Sequence, residues 1–378
     1  MNDKIELRDA SALIKQKRSN LHLTAKEFAD ALGMGKSGER TLRSWEAGES
    51  TPSPLQLQRI LDFAQKAPFV SRAEAPFKVI DLFAGIGGIR LGFQQTGKTH
   101  VVFSSEIDKF AAKTYRLNYG EEPCRDITQI SNEQIPEHDI LLAGFPCQAF
   151  SQAGKKLGFA DTRGTLFFEV ARILEAKRPR AFLLENVKNL VSHDRGNTFK
   201  TIIRVLEELD YQVYYQVLKA RDFGVPQNRE RIYIVGFDKQ QVKACRDFTF
   251  PQATGKVTRV GDILETQVDS KYTISDKLWQ GHQRRKAEHQ EKGNGFGYSL
   301  FDHESPYTNT ISARYYKDGS EILIAQDKAN PRKLTPREAA RLQGFPEEFI
   351  IPVSDMQSYK QFGNSVSVPV INAIAKQI

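Results

Sequence analysis

The stretch Phe77-Lys78-Val79-Ile80-Asp81-Leu82-Phe83-Ala84-Gly85-Ile86-Gly87-Gly88 decides the fold class. Its first seven residues form an apolar run of the kind that makes a buried strand, and the glycines follow without a gap. A helix is expected from Ile89. Strand, glycine-rich turn and helix are the parts of a nucleotide-type cofactor site, because missing side chains let a ligand approach the backbone. A purely structural tight turn gives the same string. The next run, Val101-Val102-Phe103-Ser104-Ser105, ends in Glu106. That is about twenty residues past the glycines, where a carboxylate can bond ribose hydroxyls. Asp108 beside it could equally cap a helix. Asp126, after a third extended stretch, could meet an adenine or pair with Arg125. No G-x-x-x-x-G-K-[ST] loop occurs, so ATP hydrolysis is not indicated.

Downstream, Asp139-Ile140-Leu141-Leu142-Ala143 reads as a strand and runs into Gly144-Phe145-Pro146-Cys147-Gln148-Ala149-Phe150-Ser151. Cys147 then falls just past a strand's carboxyl end, where open α/β sheets place ligands. It is either a nucleophile or an inert buried thiol. A helix from Gly164 to Leu174 leads to the strand Arg180-Ala181-Phe182-Leu183-Leu184 and then Glu185-Asn186-Val187. A carboxylate closing an apolar strand is expensive to bury without a task or a partner, so Glu185 is a catalytic group or a helix cap. Residues Tyr211 to Leu218 and Arg231 to Phe237 read as an antiparallel pair. Between them, Gln227-Asn228-Arg229-Glu230-Arg231 puts Arg229 and Arg231 on one face of an extended segment. Such a pair is either solvated or bound to something anionic or planar. Leu334 to Gly344 is a helix with Thr335 as cap, Pro336 at its first position and Gly344 past its end. Gly363-Asn364-Ser365 is a polar turn, or a cap, before a final apolar helix.

The 378 residues carry 54 Lys and Arg against 46 Asp and Glu, a net charge of +8 that permits a polyanionic partner. The three cysteines lie far apart, so neither a zinc site nor a disulfide framework is expected. No signal-like segment or membrane-length apolar run is present, and a reducing bacterial cytoplasm is the expected setting. Near the N-terminus, Thr24 and Glu27 have capping-box spacing, and a second helix carries Arg40, Thr41 and Arg43 before Gly48. Two short helices around a glycine turn suggest a helix-turn-helix whose second helix contacts DNA; a packing or dimerisation bundle is the alternative. Residues 66–76, with Pro68, Ser71 and Pro76, read as a linker. Beyond Gln252 the periodicity weakens. Arg284 and Arg285, and the loop carrying Arg314, Tyr315 and Lys317, have the side chains that contact bases and phosphates.

The order of these motifs resembles that of DNA (cytosine-5) methyltransferases. Phe83-Ala84-Gly85-Ile86-Gly87-Gly88, Gly144-Phe145-Pro146-Cys147-Gln148, Glu185-Asn186-Val187, Gln227-Asn228-Arg229-Glu230-Arg231 and Gly363-Asn364-Ser365 follow one another as in that family. The first domain resembles phage-repressor-like helix-turn-helix proteins, down to Trp45-Glu46-Ala47-Gly48.

The resemblance implies an α/β fold, with a Rossmann-like sheet binding S-adenosyl-L-methionine and a smaller target-recognition domain. The expected divisions are a helix-turn-helix domain (1–65), a linker (66–76), a catalytic domain (77–251), a recognition domain (252–330) and a bridging helix with return segment (331–378). It further implies that Cys147 attacks carbon 6 of a flipped cytosine, Glu185 holds ring N3 and Arg231 binds O2, with Arg229 in support. Phe83, Ala84, Gly85, Gly87, Gly88, Glu106, Ile107, Asp126, Ile127, Pro146, Asn364 and Ser365 would hold the cofactor, and residues 152–164 would form a lid. The partner would be double-stranded DNA, bound by a monomer, with operator DNA bound through residues 1–65. No metal is implied. The recognition loops look like those of bacterial members that read CCNGG- or CCWGG-type sites. A tRNA-modifying member, or a repressor with a vestigial catalytic domain, is the competing reading.

Overall fold

A computed structural model describes residues 2–124, 126–146, 166–243, 247–293 and 297–378, with side chains from Ala10 onward. Cys147 and the expected lid at 152–164 lie outside the described residues.

Four helices come first: α1 (Asn2–Asn20), α2 (Ala25–Ala31), α3 (Gly38–Ala47) and α4 (Pro54–Asp62). Thr24 and Glu27 form the reciprocal capping box at the start of α2, and Gly48 ends α3 in the left-handed conformation. Ile14, Phe28, Leu42, Trp45 and Ile60 fill the core of this unit.

The sheet is built from β1 (Phe77–Leu82), β2 (Thr99–Ser105), β3 (Ile140–Ala143), β4 (Ala181–Val187), β5 (Tyr211–Lys219) and β6 (Glu230–Asp238), in the order β2-β1-β3-β4-β6-β5. The first four strands are parallel, whereas β6 runs antiparallel to β4 and β5 antiparallel to β6. The chain leaves β1 to both sides, and that reversal opens a crevice beyond the carboxyl ends of β1 and β3. The expected third extended stretch is only a single bridge between Ser105 and Cys124.

Helices cover both faces of the sheet. They are α5 (Gly88–Gln94), α6 (Lys109–Tyr119), α7 (Leu166–Lys177) and α8 (Asn197–Glu208) in the first part, and α12 (Val368–Ala375) from the far end of the chain. A Cβ on Gly92 of α5 would lie 2.5 Å from Ile371 of α12, so the two helices are in backbone-close contact. The segment 252–330 holds α9 (Asp276–Glu291) and a two-residue parallel pair, β7 (Leu300–Phe301) with β8 (Leu323–Ile324). Its apolar residues Val260, Ile311, Tyr315 and Ile322 join those of α10 (Pro336–Leu342) and α11 (Asp355–Asn364) in one cluster. Residues of the 252–330 segment therefore share one core with α10 and α11.

The linker expectation is corrected. Phe69 donates its backbone N–H to Asn118 O and its ring lies 6.1 Å from that of Phe349, while Ser71 accepts from Arg90. Residues 66–76 are a strap pressed against α5 and α6. The helical unit is also docked: Leu117 of α6 belongs to its apolar core, and Lys113 pairs with Glu27 at 2.7 Å.

Gly236 of β6 lies directly opposite Phe182 of β4, whose ring would sit 2.1 Å from any added Cβ. Gly236→Ala is expected to lower stability by about 1–3 kcal/mol through overpacking, read from the urea-unfolding midpoint.

Candidate active site

The crevice at the reversal contains a cavity of about 300 Å³, at the lower end of the range for small-ligand sites. The glycine turn forms its floor. Phe83 holds φ +54°, an uncommon conformation for a residue with a side chain and one that clusters at functional sites. Gly87 caps α5 at φ +78°. Gly363 and Asn364 are the last residues of α11 and Ser365 its C-cap, so the expected polar turn is a helix end; a Cβ on Gly88 would meet Ser365 Oγ at 2.8 Å, which places that end against the first motif.

Glu106 lies at the end of β2, and both its oxygens are engaged by backbone: Oε2 accepts from Gly85 N and Oε1 from Asp108 N, each at 2.7 Å. Burial pushes its carboxyl up, while these two N–H groups pull the other way. Asp108 proves to be the cap of α6, and it also pairs with Lys360 of α11 at 2.9 Å. Asp126 caps a 3₁₀ turn by accepting from Thr128, and it lines the cavity. Ile107, Ile127, Pro146 and Asn364 complete the wall with Ala84 and Ser365. Gly87 does not line the cavity; its role is behind the turn.

At the other end of the cavity stands Glu185. It lies inside β4 opposite Tyr233, so it caps no helix. Arg231 of β6 is opposite Val187, two residues along and on the same face, and its Nε lies 3.1 Å from Glu185 Oε1. The contact is an ion pair by distance without hydrogen-bond alignment, because Oε1 has no hydrogen-bond partner. Burial raises the Glu185 carboxyl above its ordinary range, against the opposing pull of Arg231 and Arg229. Asn186 donates to Phe145 O at 2.8 Å and so ties the Pro-Cys loop to β4.

Arg229 also makes contacts that the sequence does not signal. It is buried, and its guanidinium donates to the carbonyls of Ile311, Gly363 and Ser365. Burial, reinforced by the Arg231 charge, pulls its pKa down. It clamps Ile311 and the end of α11 to the start of β6, while its Nε is buried without a hydrogen-bond partner.

Tyr315 also departs from expectation. It is fully buried, donates to Ile322 O and accepts from Leu334 N, so it is a core residue rather than a DNA contact. Arg284, Arg314 and Lys317 are exposed, and Arg285 pairs with Asp318 at 3.1 Å. On α3, Arg40 is exposed, Arg43 pairs with Glu39, and Thr41 donates to Ser37 O.

Sequence reasoning missed Lys360, Gln357 and Gln361 of α11, which line the cavity. Gln361 Nε2 and Gln357 Oε1 are buried without a hydrogen-bond partner. Together with Glu185 Oε1, these atoms give the cavity polar capacity that the protein itself does not use. Among the described residues there is no group of His, Cys, Asp and Glu that could hold a metal, and no helix long and apolar enough to cross a membrane.

Residues 77–378 match the family of C-5 cytosine-specific DNA methylases. The chain belongs to that family. Residues 14–68 match a helix-turn-helix family. Among similar curated proteins is the Type II methyltransferase M1.ScrFI of Lactococcus lactis subsp. cremoris, 66% identical over 98% of this chain and 95% of that protein. Another is the Type II methyltransferase M.SsoII of Shigella sonnei, 64% identical over 97% of both chains. A crystal structure of Spodoptera frugiperda DNMT2 shares the fold at a TM-score of 0.65 and 24% identity, covering 79% of this methylase and 98% of that chain.

Because the raised Glu185 pKa keeps a proton on the folded methylase that the unfolded chain releases, the associated stability is full below the unfolded pKa. It is lost as pH rises through the folded value. Glu185→Gln should therefore gain stability relative to the wild type between about pH 5 and pH 8, measured by urea unfolding at both. Parallel pH dependence of the two proteins would contradict the shift.

Proposed function

We propose that this methylase is the modification enzyme of a restriction-modification system and methylates carbon 5 of a flipped cytosine in duplex DNA. The observation that carries the reading is the buried Glu185 carboxyl beside Arg231, in the same cavity as the glycine turn. The close relatives named as Type II methyltransferases support the biological setting.

The cavity residues fit S-adenosyl-L-methionine: Glu106 for ribose hydroxyls, Asp126 for the adenine, the Phe83 ring against the base, and Asn364 and Ser365 closing the wall. This cofactor supplies an electrophilic methyl group. The chain's own residues prepare the acceptor. Carbon 5 of cytosine is a weak nucleophile, and addition of the Cys147 thiolate at carbon 6 makes it enamine-like, splitting one hard step into two. Glu185, neutral at higher pH than an ordinary carboxylate, donates its proton to ring N3 as the negative charge from thiolate addition spreads into the ring. Arg231 holds O2 and orients the ring. After transfer, N3 returns its proton to Glu185, and loss of the carbon 5 proton to water expels the Cys147 thiolate and restores aromaticity. The base must leave the stack for any of this to occur.

The exposed Arg40 on α3 supports a second role, binding of operator DNA by the helical unit, through which the methylase represses its own transcription.

Duplexes bearing 5-fluorocytosine at either cytosine of CCNGG should trap a covalent adduct, seen as a shifted band in denaturing gels and lost in Cys147→Ser. Turnover on ordinary plasmid DNA without an adduct on either duplex would count against the covalent route at this target. For the second role, gel shift on the DNA upstream of the gene should weaken about tenfold in the full chain carrying Arg40→Ala, if one base contact worth about 1–3 kcal/mol is lost. Methylation of plasmid DNA should remain.

A further inference from the structure

The floor of the cavity is supported from behind by a buried assembly that none of the motifs contains. Tyr119, the last residue of α6, is fully buried, and its hydroxyl donates to Gly87 O at 2.8 Å. Its ring fills the space behind the turn so closely that a Cβ on Gly87 would lie 2.3 Å from it. Gly87 O also accepts the first helical bond of α5, from Leu91 N at 2.9 Å. The Tyr119 hydroxyl therefore acts at the junction of the glycine turn and the helix it launches.

Arg90 clamps the other face of that ring. Its guanidinium carbon lies 4.3 Å from the ring centroid, and the side chain is fully buried. All five of its N–H donors have partners: Gln94 on Nε, Tyr115 and Glu121 on Nη1, Ser71 and Glu121 on Nη2. Ser71 belongs to the strap, and Phe69 of the strap packs 6.1 Å from the Tyr119 ring. With no donor to spare, Arg90 has one orientation, and Tyr119 is held between it and the glycine turn.

We propose that Tyr119 is a positioning residue for the cofactor, fixing the Gly85–Gly88 turn through Gly87 under the clamp of Arg90 and the 66–76 strap. The proposal rests on the reading of the cavity as the S-adenosyl-L-methionine site. The strap is then part of the methyl-donor site as well as the tether of the helical unit.

Tyr119→Phe removes the hydroxyl and keeps the ring, and Gly87 O retains its bond from Leu91. In the full-length protein, calorimetric titration with S-adenosyl-L-methionine should show Kd raised about three- to tenfold, the weight of one net hydrogen bond. KM for the cofactor should rise in step, with kcat and KM for DNA unchanged and the thermal midpoint within about 2–4 °C of the wild type. Ser71→Ala, which strips one partner from Arg90, should shift cofactor Kd in the same direction and serves where Tyr119→Phe yields no folded protein. Wild-type cofactor affinity in both variants would overturn the proposal while leaving the cavity's assignment intact. Equal losses in cofactor and DNA affinity together with a collapsed thermal midpoint would overturn it in favour of a purely structural role. Failure of the wild type to bind S-adenosyl-L-methionine would overturn the cavity reading itself.

Discussion

The antiparallel pairing of β6 with β4 is the constraint from which the site follows. Parallel strands deliver their carboxyl ends to one edge of the sheet, and β6 enters that edge from the opposite direction. The first residues of β6 thus meet the last residues of β4, and Arg231 arrives beside Glu185 across a ladder whose register allows little slippage. A carboxyl group buried there without a cation nearby would carry a large desolvation cost. With the cation misaligned for a hydrogen bond, Glu185 Oε1 stays available to a ligand. The residues just before β6 extend the same junction. Gln227 accepts from Ile311 N and donates to Leu342 O, and Arg229 holds Gly363 and Ser365. One strand entry therefore fixes Glu185, its cation, Ile311 and the returning chain.

Much of this was legible in single residues and short periods. The inner strands β1, β3 and β4 coincide with apolar runs, because a strand covered on both faces has no polar side to show, whereas the edge strand β5 alternates Gln212 and Gln216 with apolar residues. Thr24 with Glu27, and Thr335 with Pro336 and Glu338, mark helix starts through local hydrogen bonds that need no tertiary partner. The glycine turn and its carboxylate were readable for the same reason. The cavity-lining residues Phe83, Gly85, Gly88, Glu106 and Gly144 lie in the turn or just past strand ends.

What was not legible depends on contacts between distant segments. Arg229 looks like Arg231 along the chain, and only the carbonyls of Gly363 and Ser365, more than 130 residues later, give it further contacts. Tyr315 sits in a polar, Gly-bounded string that reads as an exposed loop, yet its ring packs 5.0 Å from that of Tyr359. The strap has the Pro and Ser content of a flexible linker, while Phe69 and Ser71 find partners on α5 and α6. Lys360 and Gln361 carry no signal beyond helix periodicity, because what makes them line a cavity is the docking of α11 across from α6. Local chemistry writes elements into a sequence; the pairing of elements has to be seen.

The return of the chain to Gly88 and Gly92 has a consequence for synthesis. Ser365 supplies the wall at Gly88, so the cavity stays open on that side while the ribosome is still translating residues 252–330. The helical unit draws all but Leu117 of its buried apolar residues from positions 14–60 and is synthesised some three hundred residues earlier. A nascent chain therefore has its helix-turn-helix region made well before Ser365 can close the cavity at Gly88, and the two halves of the molecule come of age at different moments.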